Sequence, residues 1–183
     1  MGNSPELVDT VAIVLAGGQG TRLYELTARD CKPALPFARF HRIVDFTMAS
    51  LARSGIDRVM VATQYQPAAL SVHLRDVWSP VWPEAGLNLR DGANTDQGSY
   101  RGTADVLRAR AADLDAMGAR EVLVVAADHI YSMDYRGFIA AHRENGAPLT
   151  VAAMPVPREE AGGEGKIAAG YRTRFRQGQR HCS

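Results

Sequence analysis

Three glycines in four residues, Gly17-Gly18-Gln19-Gly20, followed by Thr21-Arg22, are the first stretch whose residue types and spacing could do chemistry. Such a loop lets backbone N–H groups converge on an anion with no Cβ in the way. Taken alone, it also reads as a tight turn that happens to be rich in glycine. A dinucleotide fingerprint counted from Gly18 needs glycine where Leu23 stands, and a Walker A motif needs a Gly-Lys-Ser/Thr that does not occur. Cations come next instead: Arg22, and then Lys32 within Cys31-Lys32-Pro33-Ala34. Of 21 basic residues 19 are Arg, and Lys32 is the only lysine before position 166. A compact ammonium suits a crowded polyphosphate site differently from a guanidinium fork. Chance retention on a solvated surface is the plainer account. Pro33 restricts the backbone beside it.

A second group, Asp128-His129-Ile130-Tyr131, directly follows an apolar run. A carboxylate at the carboxyl end of a strand is well placed to hold Mg²⁺ against phosphate oxygens. Taken singly, it is equally a helix cap or loop residue. His129 reads as a packing or hydrogen-bonding residue, since no second histidine lies at ligand spacing.

These residues need a scaffold, and the scaffold is legible as strand, loop, helix in repetition. Thr10 to Ala16, Arg58 to Thr63, Glu121 to Ala127 and Leu149 to Met154 are apolar runs rich in β-branched residues, as strands buried on both faces are. Helices are predicted over Ile43 to Ser54, Pro67 to Val77, Thr103 to Met117 and Asp134 to Asn145. Glycine follows three of them, at Gly55, Gly118 and Gly146, as a helix stop. The alternation predicts an α/β fold: a Rossmann-like, mostly parallel sheet with helices on both faces. Ligands of such sheets bind beyond the carboxyl ends of the strands. Asp76 to Tyr100, with three glycines and two prolines, is expected to be a long loop or to host a short hairpin.

Composition narrows the class. A chain of 183 residues, 46% hydrophobic, can build one globular domain and is too apolar to be disordered. The longest wholly apolar run, Val11 to Ala16, falls far short of the ~20 residues of a membrane helix, and no basic segment precedes it as in a secretory signal. Cys31 and Cys182 form no Cys-x-x-Cys pair, so neither a disulfide framework nor a structural zinc is expected, and a cytoplasmic setting is the default. Residues 1–160 carry a net charge of −3 and residues 161–183 one of +4, so the body is no nucleic-acid binder by bulk charge. Residues 162–183 read as a basic, disordered tail.

The ordered series Leu15-Ala16-Gly17-Gly18-Gln19-Gly20-Thr21-Arg22-Leu23, Leu26-Thr27 and Lys32-Pro33-Ala34 resembles the signature of the sugar-phosphate nucleotidyltransferases. Within that group the chain is most similar to the bacterial glucose-1-phosphate adenylyltransferases. Arg42-Ile43-Val44-Asp45-Phe46, Thr63-Gln64-Tyr65, Tyr100-Arg101-Gly102-Thr103-Ala104-Asp105, Asp128-His129-Ile130-Tyr131 and Met154-Pro155-Val156-Pro157 carry that closer likeness. The resemblance implies transfer of AMP from ATP to glucose 1-phosphate, giving ADP-glucose and pyrophosphate for glycogen or starch-type synthesis. It implies nucleotide contacts at Gly17, Gly18, Gly20, Gln64 and Gly102, and cations on the triphosphate at Arg22 and Lys32. It further implies Mg²⁺ at Asp128, and sugar-phosphate contacts at Tyr100 and Gly165.

The family is homotetrameric, and its chains run more than twice as long, ending in a left-handed β-helix domain. Against that pattern, residues 10–161 are expected to be a partial catalytic domain, with the β-helix domain absent. Ala127 stands where the family has glycine, Ser50 where it has asparagine, and Glu164 where it has an aromatic residue. Two other outcomes stay open: a non-catalytic ATP-binding module, and a truncated relic of the enzyme. Among enzymes, a dTDP- or UDP-sugar pyrophosphorylase is the runner-up, and the Tyr100 to Asp105 stretch argues against it.

Overall fold

Thr10–Ala16 (β1) is buried along almost its whole length, which is why its apolar side chains do not alternate with polar ones. The computed structural model describes residues 7–17, 27, 30–65, 67–83, 86–92 and 100–153. In it, β1 is followed by a 3₁₀ turn at Lys32–Ala34, then a short antiparallel pair, Pro36–Phe37 (β2) and His41–Arg42 (β3). Helix α1 spans Ile43–Arg53, strand β4 Arg58–Thr63 and helix α2 Ala68–His73. A π turn at Leu74–Trp78 leads on to strand β5, Leu87–Asp91. Helices α3 (Thr103–Ala109) and α4 (Ala111–Ala116) precede β6 (Glu121–Ala126), and helix α5 is Tyr135–Asn145.

The main sheet has the order β5-β4-β1-β6, and all its pairs are parallel. Ile13 stands beside Met60 on one side and Val124 on the other, so β1 is an inner strand. The chain builds outward from β1 to β4 and β5, then crosses back to lay β6 on the far side of β1. That reversal makes a topological switch point between β1 and β6, the place where open α/β sheets bind their ligands. Val11, Ile13, Met60 and Ala62 share one sheet face and form a cluster with Val106 of α3 and Leu114 of α4. On the opposite face Ala12, Val14, Val59 and Val61 are equally buried, as are Val44, Met48 and Leu51 of α1. Helices thus flank both faces, and the parallel α/β expectation holds. On β6, Leu123 and Val125 are buried while Val122 and Val124 are exposed, and among the described strands β6 pairs on one side only.

Four local expectations need correction. Asp76 to Tyr100 holds no hairpin among its described residues: Leu87–Asp91 is a parallel edge strand, and its two apolar residues and partial burial gave little periodic signal. The helix expected over Pro67 to Val77 widens into a π turn after His73. That widening lets His73 and Trp78, five residues apart, both reach the Asp45 carboxylate. The helix expected over Thr103 to Met117 breaks at Arg110, whose guanidinium is drawn to Tyr100 and Asp91. Finally, residues 149–153 are not a strand. Leu149 is exposed, and Thr150 shares a hydrogen bond with His142 of α5 instead. An apolar run signals a wish for burial, not the presence of a pairing partner.

The chain divides into two compact units at Met133/Asp134. In the second, Asp134 caps α5 by accepting the Arg136 N–H, and Gly146 ends it in the left-handed conformation at φ 60°. Among the described residues no helix is long and apolar enough to cross a membrane. The expected tail, residues 162–183, lies outside the described residues.

Candidate active site

The carboxyl ends of the parallel strands bring two groups of residues into place. The first is a pair. Lys32 is carried by the 3₁₀ turn, whose Pro33 and Ala34 are buried and whose backbone closes with Leu35 N–H donating to the Lys32 carbonyl at 3.1 Å. Asp128 follows β6, and its corner is held by the Ala127 N–H, which donates to the Leu15 carbonyl of β1 at 3.0 Å. Lys32 Nζ donates to Asp128 Oδ2 at 3.0 Å, across 96 positions of sequence. About a third of each side chain is exposed (31% and 39%), so the pair is solvated and open to a ligand. An ion pair this exposed adds roughly 0.2–1 kcal/mol to stability, too little for its arrangement to be mainly a structural device. The other Asp128 carboxylate oxygen, Oδ1, lies 3.8 Å from His129 Nε2. His129 itself is exposed and leans on the Tyr131 ring.

The second group lies on the other flank of β1. Gly17, the first residue after the strand, sits against Gln64 at the end of β4; a Cβ there would come within 3.3 Å of the Gln64 Cβ. Gln64 Nε2 donates to the Tyr100 carbonyl at 3.2 Å. Tyr100 is buried, and its ring lies so close to Gly92 that a Cβ at position 92 would approach it to 2.4 Å. Arg110 Nε donates to the Tyr100 hydroxyl at 2.6 Å, and its Nη2 donates to the Asp91 carbonyl at 2.8 Å. Gly102 precedes α3 in extended conformation, and a Cβ added to it would meet nothing within 4 Å. The structure therefore gives no packing reason for glycine there.

Electrostatics at the rim follow from hydrogen bonding and burial. Asp105, in the first turn of α3, accepts the Arg101 N–H and is bridged by Arg108. These bonds hold its carboxyl below the ordinary range, the backbone bond contributing most. Burial pushes the Cys31 thiol up, so the residue beside Lys32 is a neutral packing group.

Among the residues named from the sequence, the structure joins Lys32 with Asp128, and Gly17 with Gln64 and the Tyr100 backbone. It leaves Gly102 open. Gly18, Gly20, Arg22 and Gly165 lie outside the described residues. Sequence reading missed Arg110, whose partners lie on other elements, and Gly92, whose role shows only once Tyr100 is folded against it.

A parallel sheet with a switch point beside its first strand, a glycine at that strand's end and a Lys–Asp pair beyond the carboxyl ends of β1 and β6 place the chain among the doubly wound α/β domains. The chain belongs to the nucleotidyl transferase family, which matches residues 11–177. It is 42% identical over 167 residues to glucose-1-phosphate adenylyltransferase 2 of Vibrio cholerae serotype O1, covering 87% of this chain and 40% of that protein. It is 42% identical to the glucose-1-phosphate adenylyltransferase of Roseobacter denitrificans (85% and 38% covered) and 44% identical to that of Paraburkholderia phytofirmans (83% and 37%). The chain spans about two-fifths of the length of these curated relatives.

Proposed function

We propose that the chain carries the nucleotide-handling part of a glucose-1-phosphate adenylyltransferase. The reaction joins ATP and glucose 1-phosphate to give ADP-glucose and pyrophosphate. The observation that carries this is the 3.0 Å pairing of Lys32 with Asp128 at the switch point, in a chain with such relatives. In the reaction a phosphate oxygen of the sugar phosphate attacks the α-phosphorus of ATP, the bond to the β-phosphate oxygen breaks, and pyrophosphate leaves. Little covalent work falls to side chains, so positioning and charge neutralisation supply the rate. Lys32 would turn from Asp128 toward the triphosphate, and Arg22 would add a second cation. Gly17, Gly18 and Gly20 would follow the phosphates, Gln64 and Gly102 the nucleotide, and Tyr100 and Gly165 the sugar-phosphate side.

The donor set at Asp128 fits Mg²⁺. It is a hard carboxylate, more than a third exposed, with Oδ1 beyond hydrogen-bonding distance of His129. Among the described residues no group of three or more His, Cys, Asp or Glu side chains could hold a metal ion. Bound at Asp128, Mg²⁺ would neutralise charge on the phosphate oxygens. Two phosphorylated substrates favour a cytoplasmic setting for the reaction.

The test is to incubate purified chain with ATP, Mg²⁺ and glucose 1-phosphate and to follow pyrophosphate. Release that depends on all three supports the reading. ATP binding without release points to a nucleotide-binding module, and the absence of both overturns the reading for this chain.

A further inference from the structure

Helix α1 touches the supports of both Lys32 and Asp128 without belonging to the pair. At its start, the Arg42 guanidinium donates to the Ala34 carbonyl, and the Ile43 N–H donates to the Leu35 carbonyl at 3.2 Å. These bonds anchor the turn that begins at Lys32. One turn further on, the Thr47 hydroxyl donates to the Ala126 carbonyl at 3.0 Å, two residues before Asp128. The second half of α1 holds the segment beyond Asp128: Arg53 Nη2 donates to Ser132 Oγ at 2.7 Å, and the Met133 N–H donates to Ser50 Oγ at 3.3 Å. One helix therefore braces two segments that are distant in sequence.

Asp45 fixes the start of that helix. Its Oδ2 accepts the Arg42 N–H at 2.7 Å; its Oδ1 accepts the Trp78 indole N–H at 2.7 Å and lies 2.7 Å from His73 Nε2. The residue is buried, and a carboxylate in the first helical turn is favoured by the helix dipole. An asparagine there would face its amide N–H toward one of these donors and lose that bond.

We propose that Asp45 is a positioning residue for the Lys32–Asp128 pair. Through the Arg42 backbone it sets the start of α1, and α1 sets where the ammonium and the carboxylate meet. The functional weight of this inference rests on the reading of the pair given above; the bracing itself does not.

The chain has only two lysines, Lys32 and Lys166, so limited acylation of the full folded chain, read by peptide mass spectrometry, reports on Lys32 with Lys166 as internal reference. An ammonium held by a carboxylate presents less of itself to the reagent. Asp128→Asn is expected to raise Lys32 acylation relative to Lys166 by about 2–5-fold, the range for a partly exposed pair. Asp45→Asn is expected to give the same rise, and the double variant no more than either alone, because both act on one interaction. General loosening of the fold would instead add to the effect of Asp128→Asn. Arg42→Gln, a milder change, gives a smaller rise and carries the test if Asp45→Asn does not fold. Wild-type acylation in Arg42→Gln and in folded Asp45→Asn, or additivity with Asp128→Asn, overturns the proposal. Repeating the labelling with Mg²⁺-ATP separates the two readings. Bracing without ATP protection of Lys32 defeats the nucleotide reading alone, and ATP protection without bracing defeats this one alone.

Discussion

The two flanks of β1 are built on different physics. Toward β4 and β5, contact is made by shape: Gly17 lies against Gln64, Gly92 against the Tyr100 ring, and Arg110 ties the tyrosine to the Asp91 carbonyl. Toward β6, contact is made by charge between two side chains that water still reaches. A flank set by close packing resists change, because any added atom must displace a neighbour. A flank set by an exposed ion pair can exchange its partner for a ligand at small cost to the fold. The difference separates a flank that holds its form from one whose partner can be exchanged.

The sharpest break between the flanks is expected at Asp128. Asp128→Asn lowers Mg²⁺-dependent pyrophosphate release by at least ~10²-fold, the scale of losing a charge-stabilising group. Its urea midpoint stays near wild type; retained pyrophosphate exchange contradicts the assignment. The opposite pattern is expected at Gly92. A methyl there meets Tyr100 at 2.4 Å and the Thr63 carbonyl at 3.0 Å. Gly92→Ala therefore costs about 1–3 kcal/mol of stability by urea unfolding, as overpacking does. A midpoint equal to wild type would remove the contrast.

Tyr100→Phe keeps the ring and deletes one hydrogen bond to a guanidinium, for an expected loss of about 1–2 kcal/mol. A larger loss would show that the hydroxyl supports more than Arg110. Gly102→Ala sharpens the contrast from the other side: with open space at the methyl position, stability changes by no more than about 0.5 kcal/mol. If the glycine faces nucleotide, the ATP concentration needed for half-maximal rate rises, and an unchanged requirement removes Gly102 from the nucleotide contacts. The smallest effect is expected at Asp105, whose folded carboxyl lies below its ordinary 3.8. Its contribution is present above the unfolded value and fades as pH falls through the folded one. The stability gap between wild type and Asp105→Asn should therefore narrow on acidification; a gap that widens has the wrong sign.

Strands written as unbroken apolar runs were legible almost to the residue, whether buried throughout as β1 is or half-exposed as β6 is. Thr10–Ala16 and Arg58–Thr63 have the bounds expected of them, and β6 ends one residue early. Their signal is local, a run of β-branched apolar residues bounded by polar or glycine positions. The features that escaped are set by distant partners. Edge strand β5 gains its form from β4, the π turn follows from two residues reaching Asp45, and the break at Arg110 follows from Tyr100 and Asp91. The same division runs through the site. Lys32 and Asp128 stood out by residue type and by their places beyond strands, whereas their meeting at 3.0 Å depends on contacts 96 positions apart. Nothing in one dimension marks Gly92 or Arg110, because each acts on a residue at least eight positions away.

The pairing order of the main sheet also governs how the chain emerges during synthesis. β1 can pair with β4 once residue 63 is available, but its other edge waits for residues 121–126. At about 5–20 residues per second on the ribosome, that edge stays unpaired for several seconds. Among the described strands the one left open is the most apolar, an invitation to pair with a neighbouring nascent chain. Yield at high expression should then be limited by the wait for β6, and slower initiation or a holding chaperone should relieve it.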